Sequence, residues 1–250
     1  MKYLQKIRCY ELSHIIPLIP NGSNILELGA GAGWQAKILA EHGFVVKAID
    51  LEESRYTKHR VWPVLHYDGI NIPFPDNHFD VVFSSSVLEH VVQVEQFQSE
   101  IKRVLKPIGL AIHILPSGSW RIWTSISHYL FLAKALLFKV FSNGCGEGDT
   151  VGKYIKETHH FSKKQLLKKT LFPSRHGETG NIISEIYLFS RLRWIRLFNR
   201  TGWTVQNCFP NRLFYTGFLI FSSKFSIKIR KKMSYLLGSS CLIYVLKKKL

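Results

Sequence analysis

The chain has 250 residues, of which 46% are hydrophobic and 13% aromatic, which is enough apolar material for a packed core and too much for a disordered polymer. Its 34 Lys and Arg against 17 Asp and Glu give a formal charge of +17, and its four cysteines (Cys9, Cys145, Cys208, Cys241) lie far apart with no Cys-x-x-Cys pair. These features exclude a disulfide-stapled secreted module and a cysteine-based zinc or redox centre, and they fit a reduced, cytosolic compartment.

The elements expected in chain order describe one α/β unit. The apolar stretch Ile15 to Ile19 is too short for a secretory leader, contains Pro17, and runs into the Asn21-Gly22 turn. Short apolar runs then alternate with helical patterns, as in a parallel sheet covered by helices on both faces. The strands expected are Ile25–Leu28, Phe44–Ile49, Val64–Tyr67, Phe79–Ser84 and Leu110–Leu115. Helices are expected over Trp34–His42, with Ile38 and Leu39 turned inward, and over Val94–Leu105, stopped by Pro107 and Gly109.

Beyond Pro116 the pattern loosens. Ile122–Phe141 carries an apolar stripe at Ile122, Ile126, Tyr129, Leu130, Ala133, Leu137 and Val140, read either as a cap helix over the site or as a helix lying on a membrane surface. Arg121, His128, Lys134 and Lys139 interrupt it, so it is not a membrane span. A glycine-rich loop at Asn143–Gly152, a helix at Arg191–Asn199 and strands at Trp203–Cys208 and Cys241–Leu246 complete the reading. The chain is taken as a single domain over 1–250, with a cofactor-binding part at 1–116, a cap or recognition insertion at 117–200, and the last strands and basic tail at 201–250.

Charge divides along the same line. Residues 1–115 hold 11 Lys and Arg against 12 Asp and Glu, whereas residues 116–250 hold 23 against 5. The basic half therefore meets either a polyanion, anionic lipid headgroups or only solvent.

The chemistry is concentrated in Ile25-Leu26-Glu27-Leu28-Gly29-Ala30-Gly31-Ala32-Gly33, a strand entering a glycine turn ahead of a helix. Glycines there let backbone lie against a ligand and leave helix N–H groups facing it. A dinucleotide site is disfavoured, because its third small residue falls at Trp34 and because Glu27 would repel a diphosphate. A cofactor carrying an ammonium and a sulfonium suits Glu27 better. Asp50, at the end of the second strand, is placed to accept ribose hydroxyls, and Asp68-Gly69, after the third, to receive an adenine amino group.

These segments, together with Ala48-Ile49-Asp50, Asp68 to Asp80, Ser86-Val87-Leu88-Glu89-His90-Val91 and Arg103-Val104-Leu105-Lys106-Pro107-Ile108-Gly109, resemble the class I S-adenosylmethionine-dependent methyltransferases over roughly residues 12–116. The resemblance implies a Rossmann-like α/β fold: a seven-stranded, mostly parallel sheet with an antiparallel last strand, helices on both faces and a helical cap insertion. It implies S-adenosylmethionine as cofactor, S-adenosylhomocysteine as product and no metal. It places Glu27, Gly29, Ala30, Gly31, Gly33, Asp50, Leu51, Asp68 and Gly69 around the cofactor, with Ser84 and Ser85 bordering the methyl group. Trp34 departs from the family pattern, where a small or hydroxylated residue is commoner.

For the acceptor side, Glu89 and His90 follow the fourth strand, where methyl transfer is expected, and Arg175-His176-Gly177-Glu178 crowd a glycine turn. His90 and His176 are candidate catalytic bases, and Glu89, His160, Arg175 and Glu178 candidate substrate contacts. His159-His160 lacks a carboxylate at metal-ligand spacing. The run Ser84 to Glu89 is unlike the Asn/Asp-Pro-Pro-aromatic motif of DNA N-methylation. O-methylation of a small molecule, sugar or lipid-linked glycan is favoured, by a cytoplasmic protein peripheral on the inner face of the membrane through its basic half. An RNA-directed enzyme, or a non-catalytic cofactor-binding module that grips RNA or a partner, is the alternative.

Overall fold

The computed structural model describes residues 2–54, 57–141, 173–217 and 225–249. The glycine-rich loop expected at Asn143–Gly152 and the pair His159-His160 lie outside the described residues. The chain opens with helix α1 (Lys2–Ile15), followed by strand β1 (Asn24–Leu28), α2 (Trp34–Glu41), β2 (Val45–Leu51), β3 (Leu65–Tyr67), β4 (Phe79–Ser85) and α3 (Val94–Val104). Next come β5 (Leu105–Pro116), α4 (Gly118–Phe141), α5 (Ser184–Leu188), α6 (Arg191–Arg200), β6 (Trp203–Pro210), α7 (Ile227–Leu237) and β7 (Cys241–Lys248).

The seven strands form one sheet in the order β3-β2-β1-β4-β5-β7-β6. The first five run parallel, and β7 lies antiparallel between β5 and β6. Alternation along the strands gives each face its own core. On one face Leu26, Leu28, Val82 and Tyr244 pack with Phe97 and Ile101 of α3 and Trp194 and Phe198 of α6. On the other, Ile25, Val81, Phe83 and Ile243 pack with Leu12 and Ile15 of α1 and Ala36 and Leu39 of α2. Burying one such side chain contributes roughly 1.5–3 kcal/mol, so the sheet is fixed from both sides.

Three details depart from the sequence pattern. Helix α3 stops at Val104 and β5 starts at once, with Pro107 and Gly109 inside the strand and not in a separate turn. The register against β4 jumps from Phe79↔Leu105 to Val81↔Leu110, and a methyl group on Gly109 would stand 2.9 Å from the Asp80 carbonyl oxygen. Helix α1 buries Ile7, Leu12 and Ile15 together with a carboxylate, Glu11, on its inner face. In α4 the stripe Ile122, Ile126, Tyr129 and Leu130 faces outward, while Trp120, Arg121, Thr124, Ser127, His128 and Phe131 are buried. The inward reading of that apolar stripe is therefore reversed over these residues. Arg230 of α7, one of the cations of the basic second half, is also buried and donates to the carbonyls of Phe225 and Phe214. Among the described residues no helix is long and apolar enough to cross a membrane.

Candidate active site

Strand order reverses between β1 and β4, and in open α/β sheets the crevice at the carboxyl ends of strands flanking such a point is where ligands bind. Here it is a cleft of about 490 Å³. Gly29 and Gly31 of the glycine loop line it, while Ala30 and Gly33 do not; Gly29, Gly31 and Gly33 adopt φ of 63°, 57° and 78°, which only glycine does at little cost. A methyl group on Gly29 would also lie 2.5 Å from Val87 Cγ2. Ala30 N–H donates to the Ile49 carbonyl (3.1 Å) and Gly33 N–H to the Ala30 carbonyl (2.8 Å), so the loop is tied to β2.

Asp50 completes that tie. Its Oδ2 accepts from Gly31 N–H (3.0 Å) and its Oδ1 from Leu51 N–H (2.9 Å), which fixes the carboxylate at the cleft wall. Leu51, Asp68 and Gly69 line the same wall. Asp68 caps its own turn, accepting from Ile70 N–H, Asn71 N–H and Asn71 Nδ2, and these bonds hold its carboxyl below the usual carboxylate range.

Glu27 sits one layer deeper. It is 2% exposed, and its Oε2 has no hydrogen-bond partner among the described residues. Burial pushes its carboxyl up to about 8; the Ala36 N–H and Arg8 pull it back, while Asp50 adds to the rise. Ser84 and Ser85 do not line the cleft. Ser84 is buried in a 2.8 Å bond with His113 Nδ1, and Ser85 Oγ accepts from Arg8 Nη1 at 2.7 Å. Their neighbour Ser86 does line it, in a left-handed conformation (φ 57°) uncommon for a residue with a side chain. Trp34 opens α2 with its side chain partly exposed and is not part of the cleft wall.

Arg8 is the residue the sequence pattern did not single out. From α1 it reaches Glu11 Oε2 (2.8 Å), Ser85 Oγ (2.7 Å) and Ser86 Oγ (3.1 Å), which brings a cation to the end of β4. Its position is legible only once α1 is seen to pack on the sheet.

Around His90, which lines the cleft, the structure gathers three candidates. The short 3-10 turn Leu88–His90 carries Glu89 and His90, and the loop at 175–178 brings His176 beside them, with the two imidazole rings 4.9 Å apart. A buried ion pair holds that loop: Arg121 of α4 meets Glu185 of α5 at 3.0 Å, and Glu185 Oε1 accepts the N–H groups of His176 and Gly177, both at 2.7 Å. Burial lowers His176 to about 4, with His90 and Arg121 adding to the drop; burial also lowers His90, against Glu178 and Glu185. Both imidazoles are therefore neutral near pH 7. Burial raises the Glu89 carboxyl to about 8. Arg175 and Glu178 form an exposed pair with each other at 3.8 Å, outside the cleft wall. His160 lies outside the described residues.

Residues 26–113 match the methyltransferase domain family. The chain is 40% identical over 130 residues to a demethylmenaquinone methyltransferase of Corynebacterium urealyticum, covering 49% of this chain and 55% of that one. It is 32% identical over 141 residues to an uncharacterized methyltransferase of Mycobacterium leprae, covering 50% of each. The chain thus spans about half the length of the curated relatives it matches. In fold it is similar to a Haloferax volcanii complex of the Trm112 methyltransferase activator with a methyltransferase, with a TM-score of 0.59 at 14% identity, covering 100% of this chain and 92% of that one. Residues 26–113 thus carry a methyltransferase domain, the kind for which S-adenosylmethionine is the methyl donor and a methyl acceptor the second substrate.

The ion pair under the histidine loop makes one stability prediction. Glu185→Ala strands the Arg121 guanidinium, which is 1% exposed, and two backbone N–H groups, so it is expected to cost roughly 3–5 kcal/mol in urea unfolding. A loss below about 1 kcal/mol, typical of an exposed pair, contradicts this.

Proposed function

We propose that the protein transfers a methyl group from S-adenosylmethionine to a hydroxyl of a small-molecule, sugar or lipid-linked glycan acceptor. The observation that carries the reading is the Glu27 carboxylate, buried below a glycine loop with an unpartnered oxygen. A buried carboxylate needs a cation, and the ammonium of the cofactor's amino-acid moiety is one. The remaining residues fit the same ligand. Asp50 faces the cleft where ribose hydroxyls need an acceptor, and Asp68 and Gly69 suit the adenine end. Arg8, beside Ser85 and Ser86, suits the cofactor carboxylate.

When bound, S-adenosylmethionine supplies a methyl group already activated by the positive charge on sulfur. The protein's task is then to hold the partners in line, which effective-molarity arguments place at up to ~7–11 kcal/mol. A hydroxyl acceptor must also lose its proton. His90 lines the cleft and His176 stands against it, and both offer neutral imidazole lone pairs that activate the acceptor. The acceptor class is read from the basic second half and from the apolar face of α4, exposed at Ile122, Ile126, Tyr129 and Leu130, which suit an anionic membrane and a lipid-linked or glycan substrate there.

Glu27 gives cofactor binding a pH dependence with a definite sign. Burial raises its folded pKa to about 8, far above the ordinary carboxylate range, so below pH 8 the empty cleft holds it protonated, and burying it grows costly as pH rises from the ordinary range towards that value. Pairing with an ammonium needs the ionised form, so binding releases a proton. S-adenosylhomocysteine affinity is expected to rise by up to about tenfold per pH unit between about 6 and 8, then level off, with proton release seen by calorimetry in two buffers. Glu27→Gln is expected to bind more weakly and to flatten the profile; an unchanged slope in that variant removes Glu27 from the cofactor site.

Labelled methyl transfer into a host extract, split into lipid, polysaccharide, nucleic-acid and small-molecule fractions, tests the acceptor, with Asp50→Ala as the blank. Label is expected in the lipid, polysaccharide or small-molecule fraction. His90→Ala and His176→Ala are each expected to lower it roughly 10²–10⁴-fold with S-adenosylhomocysteine binding retained. Label in RNA favours the RNA-directed alternative, and binding without any label favours a non-catalytic module.

A further inference from the structure

Glu89 is poorly accounted for by proton chemistry alone. Its side chain is fully buried, and neither carboxylate oxygen has a hydrogen-bond partner among the described residues. The two cations nearest this end of the cleft are committed elsewhere. Arg121 is tied to Glu185 and the Ser174 carbonyl, and Arg8 to Glu11, Ser85 and Ser86. What does face the carboxylate is a pair of imidazoles: His90 Nε2 stands 4.0 Å and His176 Nε2 3.9 Å from Glu89 Oε1, too far for hydrogen bonds. The ligand atoms of the three side chains all lie within 4.8 Å of one another.

The arrangement is held from behind. Glu178 N–H donates to the Glu89 carbonyl at 3.2 Å, and a methyl group on Gly177 would stand 2.9 Å from that oxygen, so the two chain segments close on each other only with glycine there. Trp120 and Phe189 flank the His176 ring, and Glu185 fixes its backbone. The histidine side chains keep 40% and 37% exposure, so the cluster opens toward solvent and the cleft while its carboxylate stays dry.

We propose that Glu89, His90 and His176 form a three-ligand site for a divalent transition-metal cation of the zinc class, with one coordination position left open toward the cleft. Two imidazoles and one carboxylate are the donor set of zinc and its neighbours, whereas magnesium and calcium take oxygen ligands. Donors at ~2.0–2.1 Å from a tetrahedral ion stand about 3.3 Å apart, so the two Glu89–histidine contacts, now 4.0 and 3.9 Å, have to shorten by about 0.6–0.7 Å and the widest separation, within 4.8 Å, by up to about 1.5 Å, which rotation of the three side chains can supply. The role of the ion rests on the methyltransferase reading and deepens it: the imidazole lone pairs activate the acceptor through the ion, which lowers the pKa of an acceptor hydroxyl, whose proton leaves to water. Sequence spacing gave no hint of this, because Glu89-His90 and His176 lie on separate halves of the chain.

The test is calorimetric titration of zinc chloride into the full-length, chelator-stripped protein, with S-adenosylhomocysteine binding measured on the same samples. One ion per chain is expected, with affinity of about micromolar or tighter. His90→Ala and His176→Ala are each expected to weaken it at least about tenfold, and His59→Ala, an exposed histidine outside the cluster, to leave it unchanged. Retained S-adenosylhomocysteine binding shows that the variants are folded, and cobalt substitution adds a visible absorption band for a low-coordinate site. No binding event, or one that survives either histidine change, overturns the proposal. Cofactor binding without zinc binding removes the metal and leaves the methyltransferase reading standing; zinc binding without cofactor binding does the reverse.

Discussion

The structure turns on a carboxylate in the middle of a hydrophobic sheet. Glu27 lies between Leu26 and Leu28 on β1, and both leucines are fully buried. A charge there costs several kcal/mol unless something pairs with it, and an apolar residue would make a more stable strand. The loop that follows is built around the same point. Three glycines in left-handed conformations bend the chain back over the carboxylate, and Asp50 on the neighbouring strand pins the loop through the Gly31 N–H. A buried carboxyl without a partner, set under a glycine loop at a topological switch point, is what a preorganised cation-binding floor requires.

A second buried carboxyl without a hydrogen-bond partner among the described residues, Glu89, stands beside the cleft-lining His90, and the described helices between β5 and β6 hold a loop against it. The buried pair Arg121–Glu185 serves less as a source of stability than as a template for the loop, because Glu185 spends one oxygen on the backbone of His176 and Gly177. That places a histidine against a residue from the other half of the chain. Two buried carboxyls thus lie near the cleft, with Arg8 supplying positive charge beside Ser85 and Ser86. This polarity suits a cofactor that carries both an ammonium and a carboxylate.

Much of this was legible in the sequence because it rests on local rules. Alternating apolar runs located all seven strands within a few residues, and the Glu-x-Gly-x-Gly-x-Gly run with Asp50 located the cleft. What escaped depends on contacts distant in sequence. Helix α1 went unassigned because Glu11 interrupts its apolar face, and that carboxylate makes sense only once Arg8, Asn211 and Tyr215 converge on it. The stripe on α4 read either as a cap face over the site or as a membrane-surface face, and the face that packs inward instead holds Arg121, Thr124, Ser127 and His128, whose partners are invisible from periodicity. His176 stood out beside its glycine, but its link to Glu89 runs through Glu185, which nothing local marks.

The account is tested most directly by a crystal structure of the protein with S-adenosylhomocysteine. It predicts the ligand's amino nitrogen within hydrogen-bond reach (about 3 Å) of Glu27 or a water on it, the ribose hydroxyls on Asp50, and the sulfur facing the His90 end. A ligand bound elsewhere, or with its ammonium turned to solvent and Glu27 still unpaired, contradicts the central claim.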